Sequence, residues 1–155
     1  MILQLRQIFE LSGQSVDIDV SLPAEQLNES EPFLEFSAPL EIRGAVKSRS
    51  GVVTLDYAVK TTLSQQCDRC LKAFDREYGY EFSHTLVREL ANDSDEDEYE
   101  DYIVCPDNTL DIAELALSEL KLSLPSKILC NEDCLGLCPV CGQDLNEGDC
   151  ECEEI

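Results

Sequence analysis

The sequence predicts an α+β protein: an antiparallel sheet of hairpins as the core, one helix packed on it, and a small cysteine-rich tail. Three observations predict this class. Apolar and polar residues alternate through several stretches of the first 90 residues, the period of strands with one buried face. One segment after residue 110 switches to helical spacing. Eight of the nine cysteines fall into four close pairs, six of them between Cys130 and Cys152.

Taken in order, residues 1–22 read as strand material, with Val16, Ile18, Val20 and Leu22 alternating with Asp17, Asp19 and Ser21. Pro23 to Pro32 is polar and reads as a loop with at most a short helical turn. A second strand is expected from Leu40 to Lys47, with Leu40, Ile42 and Val46 on one face and Gly44 between them. Ser48-Arg49-Ser50-Gly51 then reads as a turn. The longest strand is expected over 52–66, with Val53, Leu55, Tyr57, Val59, Thr61 and Leu63 on one face. Its partner is expected from Phe74 to Leu90, carrying Tyr78, Tyr80, Phe82, Leu86 and Leu90 in register. Cys67-Asp68-Arg69-Cys70 therefore falls at the tip of a β-hairpin, where a turn brings both sulfurs to one side. A sheet of four to six strands follows, because hairpins dominate the connections.

Asn92 to Asp101 breaks the pattern, with seven acids in the nine residues from 93 to 101. Such a run repels itself and reads as a solvated loop; a docking segment for a basic partner is the sharper alternative. Tyr102-Ile103-Val104 forms a short extended piece. Asp111 then serves as an N-cap, and Glu114 three residues later completes a capping box. Ile112, Leu115, Ala116, Leu120 and Leu124 share the face that should pack on the sheet, and Pro125 ends the helix.

A chain of 155 residues suits one domain with a small appendage. The expected division is a β-rich unit over 1–134, closed by a metal site, and a knuckle appendage over 135–155. No apolar run has transmembrane length, and Met1-Ile2-Leu3-Gln4-Leu5-Arg6 lacks the charged and apolar regions of a secretory signal. The expected location is cytoplasmic, with no membrane association. The net charge of −22 is unevenly placed: residues 89–155 carry twenty Asp/Glu against two Lys/Arg. Nucleic-acid binding relies on neutralising phosphates with Lys and Arg. The second half suits a basic protein partner or simple solubility.

Reducing compartments rarely keep structural disulfides, and nine thiols leave one over in any paired scheme. The pairs Cys67/Cys70, Cys130/Cys134, Cys138/Cys141 and Cys150/Cys152 instead suit two tetrahedral four-thiolate zinc sites, hence two zinc ions per chain. Only eight residues separate Cys141 from Cys150, so Cys138, Cys141, Cys150 and Cys152 close a local site cheaply. Gly142 permits the tight turn after Cys141. Cys67 and Cys70 are then left to Cys130 and Cys134. A rival partition pairs Cys67/Cys70 with Cys138/Cys141. In the first partition the local site is self-contained, and replacing Cys150 should disorder only the last residues.

Cys105 stands alone and reads as an incidental buried thiol, and His84 reads as a sheet-face histidine. There is no second histidine, Gly-rich phosphate loop or Ser/His/Asp set, so no catalytic residues, small-molecule substrate or enzymatic activity are expected. Cys67-Asp68-Arg69-Cys70 lacks the strand-then-helix setting of a thioredoxin-like redox pair. Arg69, Lys72 and Arg76, with Arg43, Lys47 and Arg49, could form a limited positive face. Those around the first knuckle either balance sulfur charge or contact an RNA phosphate or an acidic protein.

A hairpin carrying Cys-Asp-Arg-Cys-Leu-Lys-Ala-Phe, an acidic loop, a helix ending Leu-Ser-Leu-Pro, and Cys-Asn-Glu-Asp-Cys-Leu-Gly-Leu-Cys-Pro-Val-Cys-Gly-Gln-Asp-Leu-Asn together resemble the YceD-like family of large ribosomal RNA subunit accumulation proteins. The resemblance covers nearly the whole chain and is to the Cys-rich form found in Gram-positive and related bacteria. It implies a role in synthesis, processing or stability of 23S ribosomal RNA and transfers no catalytic residue. The preferred reading is a non-enzymatic ribosome-biogenesis factor that binds a basic ribosomal or assembly protein. The alternatives are a direct RNA-binding zinc module or a thiol redox protein.

Overall fold

The structure, a computed structural model, describes residues 1–89 and 102–152. The acidic run from 93 to 101, and Leu90 at the expected end of its strand, lie outside the described residues. The element order is β1 (Ile2–Gln4), α1 (Arg6–Glu10), β2 (Ser15–Leu22), α2 (Ala24–Ser30), β3 (Glu35–Phe36), β4 (Leu40–Arg49), β5 (Val52–Gln66), β6 (Ala73–Val87), β7 (Tyr102–Val104), β8 (Thr109–Asp111) and α3 (Ile112–Ser123). The class is α+β with predominantly antiparallel sheets. Six strands form the main sheet in the order β2-β4-β5-β6-β7, with β3 also pairing β5. β1 and β8 form a separate antiparallel pair.

Two long hairpins set the frame. β4 turns into β5 through Ser50 and Gly51, both at positive φ (53° and 80°), as a two-residue turn matching the strand twist requires. β5 and β6 pair over fourteen residues, from Val53↔Leu86 to Gln66↔Ala73. This register puts the odd residues of β5 and the even residues of β6 on one face. Ile18 and Val20 of β2 and Ile42 and Val46 of β4 join them. That face is apolar, and Ile18, Ile42, Val46, Leu55, Tyr57, Val59, Leu63 and Leu86 are buried in it. The opposite face presents Asp17, Asp19, Arg43, Lys60, Glu77 and Glu81, with Arg43 paired to Asp19 and Glu41, and Lys60 to Glu77.

Three helices contribute to the core, where the sequence pattern indicated one. The strand reading of residues 1–22 is correct only at its ends, because Arg6–Glu10 is helical. That helix has no side-chain cap. Tertiary contacts hold it: Leu5 and Ile8 are buried, and Arg88 lies over the Phe9 ring and reaches Glu10. A five-residue helix cannot stand on propensity alone. α2 buries Leu27, and its Asn28 side chain both donates to and accepts from the Phe36 backbone, which pins β3. α3 forms as its cap predicts, with the Asp111 carboxylate accepting from the N–H groups of Ala113 and Glu114. Ile112, Ala116 and Leu120 are buried, and Lys121 reaches back to Glu31 beside α2.

A polar cluster enters the covered face, which also buries Thr61. Glu119 of α3 accepts from the Tyr57 hydroxyl and lies 2.5 Å from His84 Nε2. Burial pushes its carboxyl above the usual range. Cys105 is buried, and burial likewise raises its thiol. β7 runs parallel to β6, the one parallel pairing in an otherwise antiparallel sheet of described residues.

Gly44 explains how β4 and β5 fit. It pairs with Tyr57, and a Cβ there would sit 2.1 Å from Asp56 O and 2.7 Å from Tyr57 Cβ. The strands approach so closely that only glycine is admitted. Gly44→Ala should therefore destabilise the protein by roughly 3 kcal/mol, the upper part of the overpacking range. Gly79→Ala, whose Cβ meets only Val59 O at 3.8 Å, should be neutral or stabilise by up to about 1 kcal/mol. Urea unfolding of both variants measures the difference; equal stabilities would mean that β4 can move away.

Candidate metal centres

The β5–β6 hairpin ends in a tight knuckle. The N–H of Cys67 donates to Lys72 O and that of Leu71 to Cys67 O, so both Cys67 and Cys70 are buried on one side of the turn. Leu71 closes the turn at φ 60°, a left-handed conformation costly for a branched residue. A second knuckle at Cys138–Cys141 repeats this construction. Gly142 stands at the corresponding place with φ 75°, and its N–H donates to Cys138 O. The Val140 N–H points at Cys138 Sγ at 3.4 Å.

The chain after α3 is laid against the hairpin tip by bonds in both directions. The Asp68 N–H donates to Ile128 O, and the Ile128 N–H donates to the Asp68 carboxylate, each at 2.7 Å. Arg69 Nη1 donates to Cys134 O at 2.8 Å, and Arg76 Nη2 to Leu129 O at 2.6 Å. Arg76 also stacks over Phe74. Arg69 and Arg76 thus serve as clamps for the tail, while Lys72 is exposed and its carbonyl belongs to the knuckle.

The result is two sulfur clusters. Cys67, Cys70, Cys130 and Cys134 form the first; Cys138, Cys141, Cys150 and Cys152 form the second; within each, the sulfurs all lie within 4.8 Å of one another. Cys67 Sγ is 3.7 Å from Cys134 Sγ, and Cys70 Sγ is 3.6 Å from Cys130 Sγ. A disulfide would need about 2.05 Å. A tetrahedron with metal–sulfur bonds near 2.3 Å has edges of roughly 3.8 Å, so the first cluster fits a four-thiolate metal site. The rival grouping of Cys67/Cys70 with Cys138/Cys141 is not the one the structure assembles. Each cluster could hold one metal ion with no coordination position left open.

The thiols are unequal. Burial raises Cys67, but N–H donors at Cys70, Cys130 and Arg69 outweigh it and bring the thiol down to about 6. N–H donors at Cys141 and Val140 bring Cys138 to about 6. Cys130 is pushed up to about 12 by burial and by its neighbours Cys70 and Cys67. Cys152 is pushed up to about 12 by Cys141 and burial. Four packed thiols cannot all ionise unaided, because each thiolate repels the next. A bound cation reverses that penalty.

Asn146 is the residue that spacing did not reveal. It lies between Cys141 and Cys150, yet its Nδ2 donates to Cys134 Sγ of the first cluster at 3.3 Å. Its Oδ1 accepts the Leu135 N–H at 2.8 Å, and Asp144 Oδ1 holds both its N–H and its amide. Segment 143–145 pairs back on 136–138 through Leu145 N–H to Gly136 O and Cys138 N–H to Gln143 O. The second cluster draws its four sulfurs from its own segment, as expected, and its loop in addition supplies a donor to the first.

The family model for the large ribosomal RNA subunit accumulation protein YceD matches residues 55–155, which take in most of β5, all of β6 and both clusters. The chain is 25% identical over 139 residues to the uncharacterized protein YlbN of Bacillus subtilis, covering 89% of this chain and 79% of that one. It is 28% identical over 120 residues to the uncharacterized protein ML1660 of Mycobacterium leprae, covering 72% of this chain and about half (52%) of that protein's length. No solved structure gives a significant match. Among the described residues, no helix is long and apolar enough to cross a membrane.

In metal-free protein, ultraviolet thiolate absorbance should rise through about pH 6 by the equivalent of two thiolates, one per cluster. The linked stability has a definite sign. With folded values below the ordinary thiol value of about 8.5, ionisation favours the folded tail fully above that pH, and the benefit is lost as pH falls through about 6. A thiolate titration starting only above pH 8 would mean that these N–H donors do not reach the sulfurs in the metal-free protein.

Proposed function

Because the chain belongs to the YceD family of large ribosomal RNA subunit accumulation proteins, we propose that it is a non-enzymatic factor supporting synthesis, processing or stability of 23S ribosomal RNA. It acts by binding a basic ribosomal or assembly protein. Each cysteine cluster holds one zinc ion, which fixes the tail on the hairpin rather than reacting. All-thiolate sites of this kind are closed, so no water or substrate is activated at the metal.

The observation that carries the partner reading is the surface the clusters hold in place. Residues 126–152 contain six acids against one lysine. At the knuckle turns, Leu71, Leu135 and Val140 are all more than half exposed. An apolar contact rimmed by acids suits a protein segment with aliphatic and basic side chains. Leu71 supports this further. Glycine would relieve its backbone strain, and an exposed leucine contributes nothing to the core. Of the three cations around the first knuckle, Arg69 and Arg76 already bond the tail's own carbonyls and only Lys72 is exposed, which weakens direct RNA binding at this surface.

Protein purified without chelator should contain two zinc ions per chain; one or none defeats the two-site reading. Leu71→Gly should leave zinc content unchanged and stabilise the protein by up to about 1 kcal/mol. It should also weaken capture of a basic protein from nuclease-treated lysate. If purified protein instead binds a ribosomal RNA fragment tightly at physiological salt with no other protein present, the partner is RNA and the proposal fails.

A further inference from the structure

We propose that the two metal sites load as a coupled pair, with Asn146 as the positioning residue that joins them. This rests on the metal reading above and adds what that reading lacks: the sites are not independent.

The geometry makes Asn146 a two-ended contact. Its carbonyl oxygen takes the Leu135 N–H, one residue past the Cys134 ligand. That bond fixes the amide orientation, since the opposite flip would set two donors against each other. The amide nitrogen is then directed at Cys134 Sγ, with its second hydrogen held by Asp144. An N–H donated to a thiolate stabilises it and orients it toward the metal, and such outer partners commonly change affinity by 10- to 100-fold.

What places Asn146 there is the loop from Cys141 to Cys150. Apart from the two pairings with 136–138 and the bonds of Asn146 to Leu135 and Cys134, the described hydrogen bonds that order this loop are short-range, such as Gln143 to Asp149 O. A metal bound by Cys138, Cys141, Cys150 and Cys152 closes the loop and removes its freedom before Asn146 engages the first site. The ordering cost is then borne once for both metals, and the coupling is reciprocal. Cys141 is exposed, so the second site is the more accessible to a chelator. Its loss loosens the first.

The test is stepwise cobalt(II) and zinc titration against a competing chelator. It uses the full chain, the Cys150→Ser/Cys152→Ser double variant, Asn146→Ala, and the combination. Thiolate-to-cobalt absorption reports occupancy of each site. Removing the second site should lower first-site affinity about tenfold, and Asn146→Ala alone should do nearly as much while still binding two metals. In the Asn146→Ala background, losing Cys150 and Cys152 should cost the first site little more, which makes the effects non-additive. First-site affinity unchanged in the double variant overturns the coupling while leaving two metal sites intact. Failure of the full chain to bind any metal overturns the metal reading and the coupling together.

Discussion

The structure after α3 depends on one convergence: the sulfurs of Cys67 and Cys70 at a hairpin tip meeting those of Cys130 and Cys134 some sixty residues later. Residues 126–152 contain no helix and only one isolated bridge, so they have little means of ordering themselves. Four thiols cannot all be charged in one place without a cation, and a cation there ties the end of the chain to its middle. The Asp68, Arg69 and Arg76 bonds to the tail backbone surround that point and satisfy the carbonyls of Ile128, Leu129 and Cys134 and the Ile128 N–H as the tail docks.

The rigid β5–β6 hairpin makes this possible. Fourteen paired residues carry the knuckle at their tip, and the apolar face anchors the base. Within the base, Glu119, Tyr57 and His84 form a polar contact between α3 and the sheet. It fixes the helix against β5 and β6, so the tail leaving Leu124 starts from a defined position. The chain between Leu124 and Ile128 is then short enough to deliver Cys130 to the hairpin tip.

The two knuckles are built alike but finished differently. The second has glycine at its left-handed position, while the first has an exposed leucine. A structural turn gains nothing from that leucine, which is strained in its backbone and more than half exposed. Acids surround the tail, and the nearby guanidinium groups are turned inward to its carbonyls. The exposed apolar side chains at the knuckle turns are Leu71, Leu135 and Val140, and Lys72 is the exposed cation beside them.

Much of this was legible in the sequence, for reasons of short range. Strand alternation fixes which face of β4, β5 and β6 is buried, because the side-chain period of two depends only on the pleat. Asp111 and Pro125 bound α3 through local hydrogen bonding and ring geometry. Cys-x-x-Cys pairs announce metal ligands because two residues are enough to turn two sulfurs to one side. What only the tertiary structure decided is of long range. α1 and α2 form where no capping side chain supports them, because burial of Ile8 and Leu27 stabilises helices that composition left open. Arg69 and Arg76 turn inward because tail carbonyls need donors once they dock. Asn146 reaches Cys134 because the loop pairs back on 136–138, a fold-back that no spacing rule encodes. The sequence alone thus determined that eight thiols would gather in two sets, since ligand pairs are local; the fold decided that the two sets are joined, since that bond crosses between them.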